Sequence, residues 1–226
     1  MKKYPFFLIV SLALLIQGMR VTAQPERSSE ATLIRMETTM GQMIIRLYKE
    51  TPRHHDNMIR LIENGYYNGQ LFHRVIADFM IQGGDPESAN SAKGQRLGSG
   101  GPGYTLPAEL HDHLIHKKGA LAAAREGDQV NPEKRSSGSQ FYIVQGRVFS
   151  PEELDLLVER QMHAPFTPEA IALYTSIGGT PHLDGSYTVF GEVVEGLDVI
   201  DRVASVETDS HDRPVEDVVY SITLVK

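Results

Sequence analysis

Cysteine and tryptophan are both missing from the 226 residues of this chain. Without cysteine there is no disulfide framework, thiolate metal centre, cysteine nucleophile or lipid-attachment thiol. A basic surplus is missing as well, since 22 Lys and Arg face 29 Asp and Glu for a formal charge of −7. Phosphate backbones call for a basic stripe interleaved with aromatics, and with none here nucleic acid is excluded as a partner. The longest apolar run, at 6–16, is about eleven residues, short of the ~20 that a membrane span needs.

That run lies between Lys2-Lys3 and the small residues of Val21-Thr22-Ala23, so 1–23 reads as a signal peptide and the mature chain is expected to begin at Gln24. Cleavage removes Lys2, Lys3 and Arg20 and no acid, leaving the remainder more acidic still. The expected location is outside the cytoplasm, periplasmic ahead of extracellular, with no stable membrane span after processing. Residues 24–30 are polar and read as a flexible start. Residues 31–226 are long enough for one well-buried domain.

Within that domain, 32–38 and 43–48 are strand-like runs joined by a short turn containing Gly41, which predicts a hairpin. Thr51-Pro52 then opens a helix, with Met58, Ile59, Leu61 and Ile62 on one face, until Gly65 ends it. Residues 86–103 are polar and glycine-rich and read as a loop. Its Gly98-Ser99-Gly100-Gly101-Pro102-Gly103 matches the dinucleotide fingerprint in form only, because no helix follows. His111, His113 and His116 lie close in sequence, but without carboxylates at a diagnostic spacing they read as surface loop histidines and no metal is assigned. The small-residue run 119–124 predicts a strand suited either to tight packing or to docking of an extended peptide. Another strand follows at 139–144, with Gln140 and Tyr142 on one face and Phe141 and Ile143 on the other. Between 146 and 178 the pattern turns helical, and two starts, Ser150-Pro151 and Thr167-Pro168, mark a short helical insertion. A strand at 188–194, a short helix at 196–203 and a strand at 215–225 complete about eight strands separated by turns. An antiparallel β-barrel is the architecture this predicts, since closure removes exposed edges.

The stretch 72–85, Phe-His-Arg-Val-Ile-Ala-Asp-Phe-Met-Ile-Gln-Gly-Gly-Asp, sets one cation, Arg74, among apolar residues. Such a guanidinium is either half of a structural ion pair or the polar group of an apolar pocket. Together with 119–125, with Ser139-Gln140-Phe141-Tyr142-Ile143, and with Leu183-Asp184-Gly185 and Val189-Phe190-Gly191, this stretch resembles the cyclophilin family of peptidyl-prolyl cis-trans isomerases. The resemblance covers nearly all of 32–225. It implies a mainly β fold, an eight-stranded antiparallel closed β-barrel capped by two α-helices, with the active groove on the outside.

By position, the resemblance makes Arg74 the catalytic residue and Phe79, Met80 and Gln82 the proline-pocket and substrate-binding residues. It places Ala124, Arg125, Gln140, Tyr142, His182, Leu183 and Tyr187 along the groove. Three positions depart from the family's usual pattern: Tyr142 stands where Phe is usual, and His182 and Tyr187 where many members carry Trp and His. The missing indole predicts weak binding of the cyclic peptide drug cyclosporin. No cofactor is implied.

The chemistry follows from the amide. Its rotation is opposed by ~18–20 kcal/mol, and X-Pro bonds alone populate cis appreciably. In the twisted state the proline nitrogen regains a lone pair, which a guanidinium can hydrogen-bond although the planar ground state offers nothing equivalent. Arg74 is permanently charged and suits that role, and it is expected to lack a carboxylate neighbour close enough to neutralise it. Expected partners are proline-containing segments of unfolded or folding exported proteins, met by a monomer. The alternative is a non-catalytic chaperone or assembly factor that holds the same segments.

Overall fold

The computed structural model describes residues 31–225 besides Met1, so the expected signal peptide 1–23 and start 24–30 lie outside the described residues. From Ala31 onward the chain packs as one unit. Two strands, β1 (Thr32–Thr38) and β2 (Gly41–Leu47), form the expected hairpin, and α1 (Pro52–Glu63) follows. Thr51 occupies the N-cap position of α1, yet its hydroxyl donates to the Tyr48 carbonyl at 3.2 Å. The free N–H groups of Arg53 and His54 are met instead by the Glu109 carboxylate, at 3.1 and 3.0 Å. A carboxylate there also suits the positive end of the helix dipole.

Then come β3 (Gln70–Leu71), β4 (Arg74–Ile76), β5 (Met80–Gly83), β6 (Thr105–Leu106), β7 (Ala120–Ala123), β8 (Ser136–Ser137) and β9 (Phe141–Val144). The insertion carries α2 (Pro151–Glu159) and α3 (Pro168–Ser176), after which β10 (Val189–Glu195), α4 (Leu197–Ala204) and β11 (Val219–Leu224) end the fold. Within 86–103, expected to be loop throughout, Pro86–Asn90 forms one 3-10 turn. Among the described residues no helix is long and apolar enough to cross a membrane.

The main sheet is antiparallel and has nine strands, in the order β3-β11-β1-β2-β10-β7-β9-β5-β4, while β6 and β8 pair separately. The mainly β class is as expected, but a closed barrel of eight strands is not what forms. The run 70–76 divides between two partners, because Phe72 N–H donates to Val218 beside β11 whereas the next residue, His73, donates to Gln82 on β5. Its halves, β3 and β4, thus become the two ends of a curled sheet, joined through the chain and not by a ladder.

Alternation assigns the two faces of the sheet. Ile34, Met36, Ile45, Leu121, Phe141, Ile143 and Ile222 point inward and are fully buried, with Met58 and Leu61 of α1 and Val199, Ile200 and Val203 of α4 packed over them. These two helices are the expected caps. The opposite face of the same sheet carries a second cluster, Met80, Ala122, Tyr142, Val144 and Val189, flanked by Phe79, Leu183 and Tyr187. The small residues of β7 let this second layer lie close to the sheet.

The insertion has a small core of its own, Leu154, Ala170 and Tyr174, with Phe149 and Phe166 against it. At the start of α2 the Ser150 side chain accepts from Glu153 N–H, and the Glu153 carboxylate accepts from Ser150 N–H, the reciprocal cap that its sequence predicts. The neck closes where Gly179 N–H donates to the Arg147 carbonyl at 3.0 Å. A Cβ on Gly179 would collide with the His116 carbonyl, so only glycine lets the returning chain press this close to 116–118.

Candidate active site

Strand register builds the site. Arg74 on β4 pairs with Gln82 on β5, Gln82 with Tyr142 on β9, and Tyr142 with Ala122 on β7. Residues directly opposite one another share a face, so these four form one row across the outer surface. Met80 and Val144 pair in the parallel row. Between β4 and β5 the chain reverses at Ala77-Asp78, where Asp78 takes φ +60° and its N–H donates to the Gln145 side chain at 2.7 Å. That reversal puts Phe79 at the rim.

Over the row opens a cavity of about 150 Å³, lined by Arg74, Phe79, Met80, Gln82, Ala124, Arg125, Tyr142, Leu183 and Tyr187. Sites for drug-sized ligands run to about 300–1,000 Å³, so this one has room for a single small ring. A larger hollow of about 1,020 Å³ lies between the insertion and 112–115 and shares none of these side chains. Size alone does not mark the site here; the convergence of one cation with an apolar floor does.

Arg74 is close to half exposed, and its Nη1 lies 3.4 Å from Gln82 Oε1. Its Nε lies 3.4 Å from Asp212 Oδ2, so a carboxylate does approach the guanidinium that was expected to have none close enough to neutralise it. Asp212 arrives on the loop before β11, where its carbonyl accepts Val75 N–H at 2.8 Å and ties that loop to β4. Both charges are well solvated, so the attraction is screened and leaves most of the guanidinium's field intact.

Arg125 behaves otherwise. Its side chain is almost fully buried: Nε donates to the Ser186 carbonyl at 2.8 Å, Nη1 reaches the Asp128 carboxylate at 2.6 Å, and the guanidinium lies 4.4 Å from the Tyr187 ring centre. Arg125 therefore shapes the wall and holds Tyr187. Gln140 does not line the cavity. Its Oε1 accepts from Gln82 Nε2 at 3.1 Å, and its own Nε2 donates to the carbonyls of Gly98 and Gly100, so it steadies Gln82 from behind. His182 likewise stands beside the cavity, stacked on Phe79 with ring centres 5.8 Å apart, and partial desolvation there pushes its imidazole toward the neutral form.

Comparison with known proteins decides the lineage. Residues 33–224 match the family described as Cyclophilin type peptidyl-prolyl cis-trans isomerase/CLD. The chain belongs to the cyclophilins.

This cyclophilin is 35% identical over 193 residues to a Staphylococcus saprophyticus protein named for peptidyl-prolyl cis-trans isomerase activity, covering 84% of the chain and 90% of that protein. A Streptococcus pyogenes protein, whose name pairs a phosphatase with such an isomerase, is 36% identical over 191 residues; these are 82% of the chain but 37% of the longer relative. A solved cyclophilin type peptidyl-prolyl cis-trans isomerase of Cryptosporidium parvum, crystallised in the presence of the dipeptide Ala-Pro, shares the fold with a TM-score of 0.60 at 21% identity, over 86% of this chain and 99% of that one. By family, the chain is an enzyme that isomerises prolyl peptide bonds.

The expectation of three surface histidines fails at the third. His111 and His113 contact Glu50 at the surface, whereas His116 is fully buried, its Nδ1 2.8 Å from Asp184 Oδ1 and its Nε2 3.0 Å from the Tyr142 hydroxyl. Asp184 was legible only as part of the Leu183-Asp184-Gly185 block. Tyr142 itself held the signal, because a buried phenol needs a hydrogen-bond partner that phenylalanine does not. Asp212, in an irregular loop, had none.

Proposed function

We propose that this cyclophilin binds segments containing X-Pro bonds with the proline ring in the 150 Å³ cavity and Arg74 facing the proline nitrogen. The observation that carries this reading is the single row Arg74-Gln82-Tyr142, which sets a cation and an amide over an aromatic floor. Phe79, Met80, Tyr142 and Leu183 take up the ring by apolar burial, and Gln82 with the backbone beside Arg125 receives the preceding carbonyl and chain. As the amide twists, the nitrogen lone pair emerges and the half-exposed guanidinium donates to it. This stabilisation grows only in the transition state, and so it raises turnover and not merely affinity. No proton transfer or nucleophile takes part.

The substrates we assign are folding proteins outside the cytoplasm, reached after export and handled by a monomer. Support comes from the sequence at 1–23, where two lysines, an apolar run and small residues follow in the order of a cleaved leader. Two-dimensional exchange spectroscopy on a short Ala-Pro peptide tests the activity, with cis-trans cross-peaks expected at substoichiometric protein. Binding without exchange would instead support a non-catalytic holding role. Export is tested by the N-terminal residue of protein recovered from the periplasm or medium: Gln24 agrees, and an intact leader in the cytoplasm refutes it.

A further inference from the structure

The structure assigns His116 as a positioning residue for this isomerase, fixing the Tyr142 ring in the cavity wall and tying that wall, through Asp184, to the insertion. The assignment rests on the reading of Tyr142 as part of the proline site.

Tyr142 is buried, so its hydroxyl has lost water and requires a protein partner. His116 Nε2 supplies it at 3.0 Å, with the two rings nearly parallel at 13°. On the other side of the imidazole, Asp184 Oδ1 takes both the His116 backbone N–H and the ring Nδ1, each at 2.8 Å. A carboxylate only accepts, so Nδ1 carries the proton, and in the neutral ring Nε2 is the acceptor into which Tyr142 donates. The phenol is thereby held in one position along one bond direction.

The second oxygen of Asp184 belongs to the insertion. Tyr174 of α3 donates its hydroxyl to Oδ2 at 2.6 Å, and His163, between α2 and α3, lies 3.3 Å from the same atom. Backbone bonds run alongside, from Thr180 N–H to the His116 carbonyl at 2.8 Å and from Lys118 N–H to the Gly178 carbonyl at 2.9 Å. A continuous chain of side-chain bonds thus leads from Tyr174 through Asp184 and His116 to Tyr142 at the floor of the cavity. The insertion adds no residue to the cavity lining, yet it braces the residue on which the proline ring is to rest.

The test compares two substitutions that keep opposite halves of the bridge. In His116→Gln the amide reaches roughly where Nε2 stood and can still meet Tyr142; in His116→Asn it reaches roughly where Nδ1 stood and keeps Asp184. Kinetics on an Ala-Pro peptide are measured for both, each with Tyr142 and with Tyr142→Phe, alongside Arg74→Ala. Positioning through the phenol predicts a KM raised about fivefold or more by His116→Asn, with kcat nearly unchanged and KM close to wild type in His116→Gln. With Tyr142→Phe the two His116 variants become equal. A purely structural role predicts the reverse order, or an effect of His116→Asn that persists undiminished in the Tyr142→Phe background, and either result overturns the assignment. Nitrogen-15 shifts of the wild-type imidazole give an answer that needs no variant to fold: a proton on Nδ1 agrees, and one on Nε2 alone refutes it. Full activity in Arg74→Ala would undo the underlying site reading instead, whatever the His116 variants show.

Discussion

Arg74 meets Asp212 through its Nε and Gln82 through its Nη1, each at 3.4 Å, so the carboxylate is not bound to a terminal nitrogen of the guanidinium. Both side chains are close to half exposed, and solvated pairs of this kind contribute about 0–1 kcal/mol. Asp212 therefore orients Arg74 without neutralising it. Asp212→Asn is expected to lower kcat/KM by less than about fivefold, the equivalent of ~1 kcal/mol. A loss as large as that of Arg74→Ala would make the pair, and not the guanidinium alone, the working unit.

Asp85 lies fully buried beneath the glycine-rich loop, where its carboxylate accepts the N–H groups of Glu87, Gly98 and Gly100 at 2.9, 2.6 and 3.2 Å. The carbonyls of those two glycines hold Gln140, which in turn holds Gln82. Asp85→Ala strands these donors and is expected to cost about 3 kcal/mol, a fall in Tm of about 6–12 °C for a domain of this size. Activity should fall with it, by a smaller factor than in Arg74→Ala. Unchanged melting by calorimetry would show that the loop does not depend on this carboxylate.

His73, next to Arg74 in sequence, is buried with neither ring nitrogen hydrogen-bonded among the described residues. Burial lowers its pKa to about 4; Asp85 opposes this, and Arg74 and Arg213 add to it. In the unfolded chain a histidine takes up its proton near pH 6.5, so between about pH 6.5 and 4 the unfolded state binds a proton that the folded state refuses. The contribution of His73 to stability is therefore complete above about pH 6.5 and falls as the pH drops. Urea unfolding should find that His73→Leu loses less stability than wild type, by on the order of 2–3 kcal/mol, between about pH 7 and pH 4.5. Parallel profiles for the two proteins would contradict this.

His182 stacks on Phe79 at the position where the family resemblance implies an indole in many members, and it offers a smaller, more polar surface. Cyclosporin should bind weakly. Replacement His182→Trp is expected to tighten binding at least about tenfold, or ~1.4 kcal/mol, read by inhibition of peptide isomerisation. Equal inhibition of both proteins would remove residue 182 from the drug contact.

Much of this was legible in the chain because regular elements announce their faces. The alternation of Gln140 and Tyr142 against Phe141 and Ile143 separates the outer face from the core, and the periodicity of Met58, Leu61 and Ile62 places α1 on that core. The residues brought around the cavity were implied by the resemblance to the family, position by position, and not by alternation. What stayed hidden has no period: Asp212 reaches Arg74 across 138 residues and Asp184 reaches His116 across 68, both from irregular segments. The division of 70–76 between β3 and β4 was hidden too, because a change of hydrogen-bond partner between Phe72 and His73 leaves no mark on hydrophobic pattern.

The Arg74 guanidinium is expected to stabilise the twisted amide. The direct test is exchange spectroscopy on an Ala-Pro peptide with wild type and Arg74→Ala at equal concentration, alongside a binding isotherm for each. Turnover is expected to fall at least about tenfold, or ~1.4 kcal/mol of transition-state stabilisation, while peptide affinity stays within about threefold. Equal turnover in the two proteins would contradict the account.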